Sequence, residues 1–277
     1  MKYLKIILRA SLVTSILLTL LAILLNIIIH KDHNWDGIFF LLLSNFLLSL
    51  VMAYYVYNST LSGNKLIGMT FVIGYIIGNF NIMVEALIFH VTDNMGTIDA
   101  MVLGIINFSA LSIALTLLLK NKNEKNFLMH YPPRTLFTWS TRLAASVLLY
   151  AVIYFVAGMI LQLAYPSLHD FYAGKIPALT LILKTQLLRG AVFTAIALVV
   201  IYTVNLKSFQ ASLLVGFIFS ILGGIAPLIP MNELMPFHIR MVHGLEVGIS
   251  NFVFGFSISQ LLSNRLKALP DTKVSPI

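Results

Sequence analysis

Cysteine is absent from this chain of 277 residues, which removes disulfides, thiolate metal sites and cysteine nucleophiles from the chemistry open to it. Charge is scarce too, with 10% of residues charged and ten carboxylates in all. Soluble domains carry roughly 25% charged residues, so a water-facing surface cannot be assembled from this composition. No Gly-x-Ser-x-Gly elbow, Gly-x4-Gly-Lys-Ser/Thr phosphate loop or dinucleotide fingerprint occurs. Their absence argues against ATP-driven pumping within the chain and against nicotinamide chemistry. Alternating ten-residue strands are also missing, which argues against an outer-membrane barrel.

What the chain has instead is apolar length: 59% hydrophobic residues and a mean hydropathy of +0.93. A helix needs about 20 apolar residues to cross the roughly 30 Å hydrocarbon layer. Stretches of that length fall at 6–29, 37–57, 66–90, 99–119, 137–164, 177–204, 208–229 and 238–263. The expected fold is therefore an all-α polytopic membrane protein of about eight transmembrane helices, with two four-helix repeats as a candidate division. Lys2, Lys5 and Arg9 precede the first run like the basic region of a signal peptide. Ile27-Ile28-Ile29-His30 offers no small-residue cleavage site, and the segment reads as a retained anchor.

Placing the N-terminus inside puts 13 of the 18 basic residues on the inner side. The positive-inside rule then sets both termini in the cytoplasm of a cell with a single inner, or plasma, membrane to span. The connection around Lys120 to Arg134 is basic, contains Pro132-Pro133 and separates four helices from four. The expected organisation is residues 1–120 as a first half, 121–136 as a cytoplasmic linker and 137–277 as a second half with a tail. The halves echo each other 148 residues apart, most tellingly in Glu85-x3-Phe89-His90 and Glu233-x3-Phe237-His238. Four helices per half give both copies the same direction through the membrane, an arrangement some transporters use around a shared site.

In this orientation six of the seven histidines and eight of the ten carboxylates lie in the outer half. Arg189 lies deep in an apolar helix, about 18 Å from Pro177, where lipid cannot solvate a guanidinium and a partner or wet cavity must. The same run carries Gln186 and Lys184; the lysine, nearer the surface, can snorkel outward. In the last run Arg240, His243, Glu246 and Asn251 share an arc of about 140°, and Glu246 reaches a level where it could pair with Arg189. Gly244-x3-Gly248 permits close helix packing. Asn45, Asn79, Asn81 and Asn107 add interhelical polar groups. Three prolines between Gly223 and His238 disfavour a regular helix there and fit a loop or broken segment. Trp35 and Trp139 fit interfacial anchors.

The expected substrate- or proton-binding set is Glu85, His90, Arg189, Glu233, His238, Arg240, His243, Glu246 and Asn251. The outer histidines His30, His33, His90, His169 and His238 are chemically fit for zinc, but no spacing fixes three ligands, so no metal site is assigned. No cofactor is implied by any motif, and no nucleic-acid module is present despite the +8 net charge. Partners reduce to the lipid bilayer, a small solute or lipid headgroup, and a membrane subunit or second copy. Transport of a small solute or ion is the leading reading, with histidine and a desolvated glutamate as proton-linked groups. An intramembrane enzyme acting on a lipid, with His243 or His238 as base, and a sensor or assembly partner are the alternatives.

Overall fold

Long apolar runs leave the backbone one way to satisfy itself in hydrocarbon, the α-helix, and helices are what these runs form. The computed structural model describes residues 2–30, 37–119, 134–231 and 235–263. Nine helices occur among them: α1 (Lys2–His30), α2 (Ile38–Asn58), α3 (Gly63–Ile88), α4 (Asn94–Leu119), α5 (Leu136–Ala164), α6 (Pro166–Tyr172), α7 (Leu179–Thr203), α8 (Ser208–Leu228) and α9 (Phe237–Ser263). All but the short α6 are long and apolar enough to span a membrane, and there is no strand among the described residues. The protein is an all-α, multi-pass membrane protein in contact with a lipid bilayer. Most of the expected linker, the tail, His33, Trp35 and Glu233 lie outside the described residues.

α7 and α8 form the centre. Their apolar windows are 56% and 67% buried, against 17% for α5, which lies at the periphery. Outward-facing side chains such as Leu136, Leu163 and Leu179 are apolar and exposed, as a lipid-facing surface requires. Within the first half α1 packs on α2 and α4, and α4 also packs on α2 and α3. Among the later helices α5 packs on α7 and α9, and α9 also packs on α7 and α8. Arg134 and Arg142, at the start of α5, donate to the carbonyls of Leu262 and Leu261. Those are carbonyls at the end of α9 that the helix itself leaves unpaired, and the cations also suit its dipole.

α3 and α8 are alike in detail. Each begins with 13 residues of α-helix, Gly63–Tyr75 and Ser208–Ser220, and then widens into a five-residue π turn, Ile76–Phe80 and Ile221–Ile225. Their starts are 145 residues apart, three fewer than in the sequence echo at 148. The π turns pack against each other. After α2 and α7 the chains meet in an antiparallel bridge between Ser59 and Val204, also 145 apart. Thr60 N–H donates to Thr203 O at 2.7 Å, and Asn205 N–H donates to Asn58 O at 2.8 Å. A shift of 145 turns one of these bonds into the other.

The proline-rich stretch is helical only at its start: the described residues at 229–231 and 235–236, with Pro230 and Pro236, lie outside helices as expected, whereas Pro227 does not. Helix α8 runs through Pro227 to Leu228. Proline offers no N–H to the carbonyl four residues back, here Gly223, and Asn251 Nδ2 of α9 donates to that oxygen at 3.1 Å. The widened π turn and this side-chain donor together let the helix continue. Close approach makes the contact possible: a Cβ on Gly224 would lie 2.9 Å from Gly248 N.

Candidate functional site

Arg189 is the centre of the site. It projects from α7, is 4% exposed, and is held by acceptors from both halves. Its Nη1 lies 2.5 Å from Glu85 Oε1 on α3. Nη1 also donates to Gln186 Oε1 on its own helix at 3.1 Å, and Nε donates to Asn81 Oδ1 on α3 at 3.1 Å. Side chains lean toward the N-terminus of their helix. α7 and α3 run in opposite directions, so Arg189 and Glu85 lean toward each other along the membrane normal. The π turn of α3 lies just before Asn81. One extra residue in a turn rotates the rest of the helix by about 100°, and this sets the face on which Asn81 and Glu85 lie.

The expected partner of Arg189 was Glu246, and the structure corrects this. Glu246 instead faces His243, one turn earlier on α9, with Nδ1 and Oε2 3.3 Å apart. The two pairs are neighbours nevertheless. Glu85, Arg189 and Glu246 all act electrostatically on Tyr150 and Tyr154 of α5, and Glu85 and Glu246 on Tyr172 of α6. The Arg189 guanidinium lies 5.7 Å from the Tyr150 ring, and the ring of Tyr172 lies 6.2 Å from that of His243. Tyr150 in turn stacks into Phe193 and Phe254 at 5.1 and 4.9 Å, which gives the site an aromatic floor. Burial raises the pKa of the Tyr172 hydroxyl, and both carboxylates push it the same way.

Other expected residues are placed apart from this group. His90 is exposed just beyond α3, with a φ of +53°, and His238 is exposed in the first turn of α9. Arg240 is buried, with Nη1 3.4 Å from Met235 O and its guanidinium 5.7 Å from the Phe237 ring. Asn251 serves the Gly223 carbonyl. Glu233 lies outside the described residues. Among the described residues no three His, Asp or Glu side chains gather as a metal site would require.

Sequence reasoning missed Tyr150, Tyr154 and Tyr172, which look like ordinary apolar or interfacial residues in a hydrophobic run. It named Asn81 and Gln186 but not their role. Each of these amides gives its oxygen to Arg189, while Asn81 Nδ2 and Gln186 Nε2 are buried without a hydrogen-bond partner.

A second contact mirrors the Asn81 bond. Ser44 Oγ of α2 donates to Ala226 O of α8 at 2.7 Å. Ser44 is 145 residues before Arg189, and Asn81 is 145 before Ala226. At this second seam α2 packs directly against the π turn and outer end of α8. At the Arg189 seam the backbones of α7 and outer α3 stay farther apart, and the long side chains span the difference.

Fold and site thus define the class as a multi-pass helical membrane protein with a buried, charged contact between α3 and α7. Comparison with protein-family models, with curated proteins and with solved structures finds no match to this chain.

Proposed function

We propose that the protein is a small-solute transporter built from two four-helix repeats, with its site at the seam between them. The observation that carries this reading is the Arg189–Glu85 pair, a buried cation of one half held by a carboxylate of the other. A buried ion pair is a poor source of stability compared with well-packed apolar groups, whereas a contact between halves that can break and reform is what alternating access needs. The shared division of α3 and α8, the matching neighbours within each half and the Ser59–Val204 bridge support the repeat. Both termini then lie in the cytoplasm of an inner or plasma membrane, as the excess of inner Lys and Arg favours. Glu85, Arg189, His243 and Glu246 are the working group.

The test is uptake into proteoliposomes holding the purified full chain, with a labelled cell extract outside and mass spectrometry of the contents. An intact solute should accumulate with the wild type and not with Arg189→Ala. The His243–Glu246 pair, a base oriented by a carboxylate, favours one other reading, an enzyme acting on a lipid. Covalently altered lipid that depends on His243 would replace transport with that activity.

A further inference from the structure

Arg189 is already bound to a carboxylate, and that carboxylate belongs to the protein. Around it are two unmet donors. A guanidinium has only N–H groups to offer, so the amide oxygens of Asn81 and Gln186 must face Arg189 and their nitrogens must point away. Both side chains are at least nine-tenths buried, 3% and 0% exposed, and neither amide nitrogen has a partner. Buried donors of this kind are costly to leave unmet. A planar group with two oxygens and one negative charge would satisfy the guanidinium and the amides together. Glu85 meets the guanidinium from within the chain but leaves both amide nitrogens unmet, and a carboxylate from outside, not tethered to a helix, could take its place and reach them.

We propose that the solute carries a carboxylate, that this group displaces Glu85 from Arg189 and accepts from Asn81 and Gln186, and that one proton is taken up with it. The proposal rests on reading the Arg189 seam as the solute site. Charge counting supplies the proton. Arg189 faces Glu85 from α3 and Tyr150 and Tyr154 from α5; Glu85 also acts on Tyr172 from α6, as does Glu246 from α9, which His243 faces. The acids beside α4, Asp93 and Asp99, are exposed. Arg189 is the one permanently charged cation in that group. Once it holds the solute, an ionised Glu85 would be left without its cation, with Glu246 acting on the same tyrosines. A proton on Glu85 removes that charge, and no bond other than O–H is made or broken.

Calorimetry tests this on the full chain in nanodiscs of phosphatidylcholine, which has no carboxylate. The probes are sodium acetate, succinate and benzoate at up to about 10 mM, sodium phosphate and choline chloride as controls, and oleate as a membrane source of the same group. Each titration is run in two buffers of different ionisation enthalpy. At least one soluble carboxylate should bind with uptake of about one proton. Arg189→Ala should lose the binding. Glu85→Gln should keep it, tighten it and lose the proton uptake.

Failure of all three soluble acids to bind overturns the proposal, and so does binding without proton uptake. Binding of oleate alone assigns the site to a lipid and overturns the solute. Phosphate binding equal to that of the carboxylates overturns the class. If carboxylates bind with a proton but no flux occurs in proteoliposomes, the transport reading fails and this one stands. If a solute without a carboxylate is carried in an Arg189-dependent way, the reverse holds.

Discussion

Replacing Glu85 by Ala should destabilise the protein more than replacing its partner, and the reason lies in which charge can escape. Breaking a buried ion pair by removing one member costs about 3–5 kcal/mol. Arg189 is 4% exposed and cannot lose its proton, but it keeps the acceptors of Asn81 and Gln186, and Glu85 is itself 25% exposed. These reduce the cost of Glu85→Ala to about 2–3 kcal/mol. Arg189→Met fills much of the same volume and leaves Glu85 free to take up a proton, so it should cost about 1–2 kcal/mol. With both changes no charge is stranded, and the double variant should lie within about 1 kcal/mol of wild type. The resulting coupling of about 2–5 kcal/mol is readable in a double-mutant cycle. The assay is reversible unfolding by SDS in mixed micelles, monitored by helical circular dichroism. Additivity of the two changes to within about 0.5 kcal/mol would refute the argument.

Other parts of the structure set four further outcomes. Gly224→Ala would press a Cβ onto the backbone of Gly248 at 2.9 Å and should cost about 1–3 kcal/mol in the same assay, whereas Gly68→Ala, with open space around it, should be neutral or slightly stabilising. Asn251→Leu removes the donor to Gly223 O and should cost about 1–3 kcal/mol, with much of that loss recovered when Pro227→Ala restores a backbone N–H. The chain has no cysteine, so Ser59→Cys with Val204→Cys should oxidise to a single intramolecular disulfide, read as a mobility shift on gels, because bridged residues place their Cα atoms about 4.5–5.5 Å apart. Tyr172, raised above the ordinary tyrosine value of 10.0, favours the folded state in its neutral form; that contribution is present below about pH 10 and lost as the pH rises through its folded value. A phenolate absorbance titration should therefore show Tyr172→Phe missing a late part of the wild-type signal and nothing near pH 10.

The fold was legible because hydrocarbon is an undemanding reader: it asks for length and apolarity, and the eight runs supplied both. The boundaries of the spans moved by a few residues. What periodicity could not reveal was the π turn, since one extra residue in a turn changes the face of everything after it and leaves the composition unchanged. Asn81 and Glu85 lie beyond such a turn in α3, so a regular helical wheel misplaces them. Depth alone matches Glu246 to Arg189, and Glu85 is the one that meets it. The proline-rich end of α8 misled for a related reason. Pro227 removes a donor, but Asn251, 24 residues further on, supplies another, and no local rule reads across that distance. Arg189 itself was recognisable from burial cost alone, because a guanidinium at that depth must have partners somewhere.

The two seams explain why a repeat would retain a charge in one copy only. On the proposed repeat, Ser44 stands where the other half has Arg189, and Ala226 where it has Asn81. A serine hydroxyl donating to a backbone carbonyl at 2.7 Å is short, neutral and satisfied within the membrane, so that seam loses hydrogen bonding if it opens and gains nothing from any ligand. The Arg189 seam is longer, charged and incompletely satisfied, so its opening can be offset by whatever replaces Glu85. On the proposed reading, the paired bonds flanking Ser59 and Val204 tie the two repeats at the far end of the bundle, and motion would be directed to the Arg189 seam. A ligand can shift such an equilibrium only by binding one state better than the other. Of the two seams, only the one with a cation and two unmet amide donors offers that difference, which is why opening at Arg189 is the motion that a bound anion could drive.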